Sequence, residues 1–191
     1  MSFCLWLTGL PGSGKSTILK ELLEKLSGAG VEAVTLSLDH IRKVVTPNPK
    51  YTDEERGIVY RSLVMMAQLL MTEGGRNVII DATGNRREFR DLARQLIPDF
   101  AEIYVQCPLK TCEDREASRR GQPVQKDLYK RAAEGKLKGA MPGISAPYEA
   151  PENPEVTVQS DILSPPQSAE KIIGYMQSRW PELFGKENRL C

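Results

Sequence analysis

The 191-residue chain is predicted to adopt an α/β fold: a five-stranded parallel sheet with helices on both faces and an inserted lid. Three observations predict it. Short apolar runs rich in β-branched residues alternate with segments of helical period. Parallel neighbours need crossover connections, which helices of that length supply. A glycine-rich turn follows the first run directly, at the carboxyl edge where open α/β sheets bind ligands.

The strands are read at Phe3–Thr8, Val31–Ser37, Asn77–Asp81, Glu102–Gln106 and Val156–Gln159. Helical periodicity marks Lys15–Leu26, Glu54–Met71, Arg87–Leu96, Leu109–Ser118 and Ala169–Trp180, with Trp180 read as core. The alternation breaks at 119–150, a stretch rich in Arg, Lys, Gly and Pro. It reads either as a lid containing one short helix, able to close over a polyphosphate, or as a solvated loop. The length suits one domain over 1–191 that includes this lid.

Composition narrows the partners. A formal net charge of +1 with 27% charged residues supplies no global field for polyanions, so nucleic acid is not the expected partner and phosphate recognition must be local. No apolar run reaches the roughly 20 residues of a membrane-spanning helix, and the start lacks the features of a signal peptide; a cytoplasmic location is expected. Cys4, Cys107, Cys112 and Cys191 are scattered and His40 is the only histidine, which argues against zinc. Cys107 and Cys112 leave two readings open, a redox bridge or apolar packing.

The turn after the first strand, GLPGSGKS, fits G-x-x-x-x-G-K-[ST] with Gly9, Gly14, Lys15 and Ser16 in place. The spacing has a mechanism. Glycines let consecutive N–H groups face one concavity, and the following helix sets its positive end beneath it. Gly12, Ser13, Gly14, Lys15, Ser16 and Thr17 are therefore expected to hold the phosphates of ATP, with Lys15 reaching the β- and γ-phosphates and the Ser16 hydroxyl facing Mg²⁺. The fold class becomes the three-layer P-loop NTPase fold. The chain lacks the N-K-x-D element of a regulatory GTPase and is short for a motor, which favours a kinase.

Residues after the later strands supply candidates for the acceptor side. In SLDHIRKVV, Asp39 can position an attacking hydroxyl and Arg42 can hold an anion; the alternative for Asp39 is a cap on a helix starting at His40. In VIIDATGNRRE, Asp81 can hold Mg²⁺ through a water or serve as a turn former. Arg86 or Arg87 can meet an anionic substrate, one of them on a solvated face instead.

Several segments together resemble the adenylylsulfate kinase family. They are LWLTGLPGSGKST, LYKRAAEGKLKG and GISAPYEAPENPEV, with weaker likeness in DHIR, YTDEER and YVQCPLKTCEDRE. The resemblance implies a homodimer that transfers the γ-phosphoryl of MgATP to the 3′-hydroxyl of adenosine 5′-phosphosulfate (adenylylsulfate), with Asp39 catalytic. It further implies that Arg42 and Arg56 bind the anionic end of the substrate, Tyr51 is the aromatic before an acidic turn, Lys138 and Ile144 are lid contacts, and Arg115 lies near ATP. The chain departs from the family at Val59 and Ala140, which replace an asparagine and an aromatic; losing a stacking surface costs about 1–3 kcal/mol per base. DATGNRR stands where the family has SPYR and looks like the third-strand motif of polynucleotide kinases, and ASRRGQPVQ is extra chain that adds Arg119 and Arg120 to the lid. Kinases of another hydroxyl, on a nucleic-acid end or small metabolite, and a non-catalytic ATP sensor are the alternatives.

Overall fold

The computed structural model describes residues 2–118, 128–136 and 141–185. Five strands form one parallel sheet: β1 (Cys4–Thr8), β2 (Val34–Ser37), β3 (Val78–Asp81), β4 (Phe100–Gln106) and β5 (Val156–Gln159), in the order β2-β3-β1-β4-β5. The order reverses on either side of β1. Its carboxyl end is therefore the crevice where this class of sheet receives a ligand.

Helices α1 (Lys15–Gly28), α2 (Leu38–Val45), α3 (Asp53–Thr72), α4 (Arg87–Leu96), α5 (Leu109–Ala117), α6 (Leu128–Ala133) and α7 (Pro165–Arg179), with a short 3-10 turn at Pro181–Leu183, complete the described elements. β1 shows why both faces need cover, because all five of its residues are buried. Alternate side chains point to opposite faces. Phe3, Leu5 and Leu7 pack with α1 and α7, while Cys4 and Trp6 pack with α2, α3 and α4. Trp180 closes the first core at 1% exposure, its ring stacked on Phe3 at 5.3 Å.

The boundaries differ from the expected ones for local reasons. β2 starts at Val34 rather than Val31 because its partner β3 starts at Val78, opposite Val34; before that point there is no ladder to join. α7 starts four residues before Ala169, where Ser164 and Gln167 form a capping box ahead of Pro165. α2 begins at Leu38, two residues before the His40 start that a cap at Asp39 would require. Asp39 consequently lies inside the first turn, beyond the N-cap residue Ser37.

The PYEAPENP run acquires a physical role. Tyr148 shares a hydrogen bond with Thr8 at 3.0 Å, the Glu149 carboxylate accepts the Arg87 N–H at 2.7 Å, and Glu152 and Glu155 pair with Arg87 and Arg94. Glu152 and Glu155 thus pair with arginines on one face of α4, while Glu149 takes the main-chain N–H at its start. Arg90 lies at the centre, 1% exposed, donating to Glu102 and to the carbonyls of Gly84 and Glu149. Burial pushes the Glu102 carboxyl up, opposed by the Arg90 charge. Arg90→Met should cost roughly 3 kcal/mol, the low end for breaking a buried pair because Arg94 still stands 3.6 Å from Glu102, or on the order of 10 °C in Tm for a domain of this size. Thermal unfolding followed by circular dichroism checks it, and a shift under about 2 °C would contradict the pairing argument.

Candidate active site

Gly14 is the N-cap of α1, at φ 96°, and the helix start has neither a side-chain cap nor an acidic residue in its first turn. An uncapped helix start with no acid keeps its N–H groups and positive dipole end for an incoming anion. Gly12, at φ 77°, is required by space as well as by angle: a Cβ there would stand 2.5 Å from the Cys112 carbonyl oxygen. The loop is thereby pressed against α5 and held in shape.

Lys15 curls over this loop and donates to the carbonyls of Gly9 and Leu10, each at 2.9 Å. The Ser16 hydroxyl donates to Asp81 Oδ2 at 2.8 Å, joining the loop to the end of β3. Ser160, just past β5, donates to the Ser13 carbonyl at 2.6 Å. It also anchors Arg115, whose Nη1 and Nη2 reach the Ser160 hydroxyl and carbonyl at 3.1 and 2.6 Å. On the outer side, the Tyr129 hydroxyl of α6 donates to the Pro11 carbonyl at 2.7 Å.

A cavity of about 660 Å³ opens over these groups. Gly12, Gly14, Lys15, Ser16, Thr17 and Arg115 line one side; Asp39, Arg42 and Tyr51 line the same cavity, with Asp81 also in its wall. Among the described residues Arg42 Nη1 is buried without a hydrogen-bond partner, and its guanidinium lies over the Tyr51 ring, 5.5 Å from the centroid. A cation with an unspent buried donor is poised for an anion.

Other candidates stand elsewhere. Gly9 and Ser13 are buried and do not line the cavity, Ser13 fully so. Arg56 is buried and donates to Asn85 Oδ1 at 3.2 Å, away from the cavity lining. Arg86 pairs with Asp53 at 2.6 Å and with Glu88 at 3.3 Å. Ile144 is 38% exposed in the turn around 141–146 and does not line the cavity. Lys138, Arg119, Arg120, Ala140 and Cys191 lie outside the described residues. Val59 is fully buried against the sheet.

DATGNRR divides by role. Asp81, Ala82 and Thr83 line the cavity, while Gly84 receives Arg90 and donates to the Tyr60 hydroxyl at 3.0 Å, and Asn85 bonds Arg56 and the Pro147 carbonyl. Cys107 and Cys112 are free thiols packed with Tyr129 and Met141, the apolar alternative of the two readings. Burial, then the bond to Cys107, pushes the Cys112 thiol up to about 12. Ser160 and Tyr129 were missed, although Ser160 occupies the post-strand position that singled out Asp39 and Asp81.

Comparison with known proteins agrees with this architecture. The sequence model of the adenylylsulphate kinase family matches residues 1–159. The chain is 37% identical over 180 residues to an adenylyl-sulfate kinase of Thermodesulfovibrio yellowstonii, covering 93% of this chain and 85% of that protein. It is 39% identical over 169 residues to one from Picosynechococcus, covering 88% and 90%. Among solved structures, the Mycobacterium tuberculosis APS kinase in complex with AMPPNP and APS superposes with a TM-score of 0.79 at 29% identity, covering 92% of this chain and 98% of that one. The chain belongs to the adenylylsulphate kinase family.

Proposed function

We propose that this chain transfers the γ-phosphoryl group of ATP to the 3′-hydroxyl of adenosine 5′-phosphosulfate. The observation that carries the reading is one cavity with two chemically distinct walls: an uncapped helix start with Lys15 and Ser16, and an acid–guanidinium pair, Asp39 and Arg42, with the Tyr51 ring. Membership in the family supports this acceptor, as does the relative crystallised with an ATP analogue and APS.

Each residue has a task in that reading. The open N–H groups of the loop hold the triphosphate, and Lys15 exchanges its two carbonyl partners for phosphate oxygens, replacing neutral acceptors with anionic ones. Arg115, fixed by Ser160, adds positive charge on the same side. Asp39 orients the acceptor hydroxyl for in-line attack, and Arg42 binds the anionic end of the acceptor. Ser16 and Asp81 present hard oxygen donors beside the phosphate loop, a set that fits Mg²⁺. When bound there, Mg²⁺ supplies neutralisation of the phosphate oxygens. Rate enhancement then comes from placement and electrostatics.

The test is transfer of label from γ-labelled ATP to a panel of hydroxyl acceptors, with the product identified. The expected product is the 3′-phosphorylated nucleotide, formed only when adenylylsulfate is present. No such product at saturating adenylylsulfate removes this acceptor; label on another hydroxyl assigns a different kinase, and binding of ATP without transfer to any acceptor assigns a sensor.

A further inference from the structure

Glu55 does not line the cavity, yet it controls a residue that does. Its Oε2 accepts the backbone N–H of Lys50 at 2.7 Å and that of Tyr51 at 2.6 Å. Tyr51 has φ 58°, in the left-handed region that a bulky side chain rarely occupies and that persists only where surrounding contacts impose it. The Thr52 hydroxyl in turn accepts the Glu55 N–H at 3.2 Å, so the start of α3 and the strained turn lock each other. An ordinary capping box returns the acid to the N-cap N–H. Here the carboxylate passes the N-cap and takes the two N–H groups before it.

The surroundings favour an ionised acid. Desolvation pushes the Glu55 carboxyl up, but the two N–H bonds and the Arg42 charge outweigh it and hold the group below the usual carboxylate range. The turn held in this way carries Tyr51, whose ring covers Arg42; Thr46, Pro47 and Pro49, from the same turn, line the cavity as well.

We infer that Glu55 is a positioning residue for the acceptor: by clamping the Lys50 and Tyr51 N–H groups it sets the Tyr51 ring as a cavity wall and keeps Arg42 beneath it. This rests on the reading that Asp39 and Arg42 face the acceptor. A merely structural glutamate would affect both substrates alike, or stability alone. A positioning glutamate acts on one substrate and acts through Tyr51.

Steady-state kinetics of Glu55→Ala should show the acceptor KM raised about 10-fold, the scale of one to two lost hydrogen bonds, with the ATP KM within about twofold of the parent. In a Tyr51→Ala background the same substitution should change the acceptor KM by less than about twofold, because the ring it places is gone. An equal rise in both KM values, or an undiminished effect in that background, overturns the inference. Amide hydrogen exchange of the ligand-free protein supplies a readout independent of acceptor identity: protection of the Lys50 and Tyr51 amides should be lost in Glu55→Ala, and unchanged exchange overturns the clamp. An inert parent enzyme with adenylylsulfate overturns the acceptor reading instead, and the exchange result then decides the clamp.

Discussion

Asp39→Asn is expected to lower kcat by roughly 10² to 10⁴, the contribution of a positioned acid or base, while leaving the affinity for ATP unchanged. The split follows from geometry. Asp39 stands in the first turn of α2, exposed, and lines the cavity with Arg42 and Tyr51, whereas the phosphate loop belongs to β1 and α1. The asparagine is isosteric and keeps an oxygen acceptor, but it has lost the charge that draws the acceptor hydroxyl's proton towards it. Stability should barely move, since an acid in a helical first turn contributes about 0.3–1 kcal/mol through the dipole. Single-turnover rates with bound ATP, beside calorimetric ATP titration, measure the two quantities separately. Parent-like turnover in the variant would remove Asp39 from the mechanism.

Lys15→Ala should act on the other wall, lowering kcat/KM for ATP by roughly 10² to 10³, as expected for loss of one preorganised donor to developing negative charge. Its Nζ already rests on the Gly9 and Leu10 carbonyls, so it is placed before any phosphate arrives and little ordering entropy remains to be lost. Lys15 itself lines the cavity, where water can replace the ammonium, so Tm should stay within a few degrees of the parent. The defect should be the same with any acceptor, which distinguishes it from changes at Asp39 or Glu55. Turnover within about threefold of the parent would show that the loop amides alone suffice.

Much of the fold was legible because its signals are local. Five apolar runs became five strands of one parallel sheet, and the helices between them appear on both faces, since each run alternates with a segment too amphipathic to be anything but its cover. The phosphate loop was legible for the same reason: its glycines, lysine and hydroxyl are contiguous, and the strand before it and helix after it are determined by neighbours in sequence. Asp39 and Asp81 could be nominated from the rule that residues just past a parallel strand face the ligand, and both line the cavity. The likeness of YTDEER to its family pointed to Tyr51, though nothing in its spacing announced a left-handed backbone held by Glu55.

What the chain's own order determined was therefore the α/β class, the loop and the post-strand acids, all set by interactions within a few residues. Only the tertiary structure decided how the arginines divide. The family resemblance implies one task for Arg42 and Arg56, yet among the described residues Arg42 keeps a buried, unbonded donor at the cavity while Arg56 is turned to Asn85. Arg86 is drawn off to Asp53, and Arg115 is fixed by Ser160, 45 residues further on. A guanidinium on a long, flexible stem goes to whichever carboxylate or carbonyl the fold brings within reach, and that partner is chosen by strand order rather than by adjacent residues.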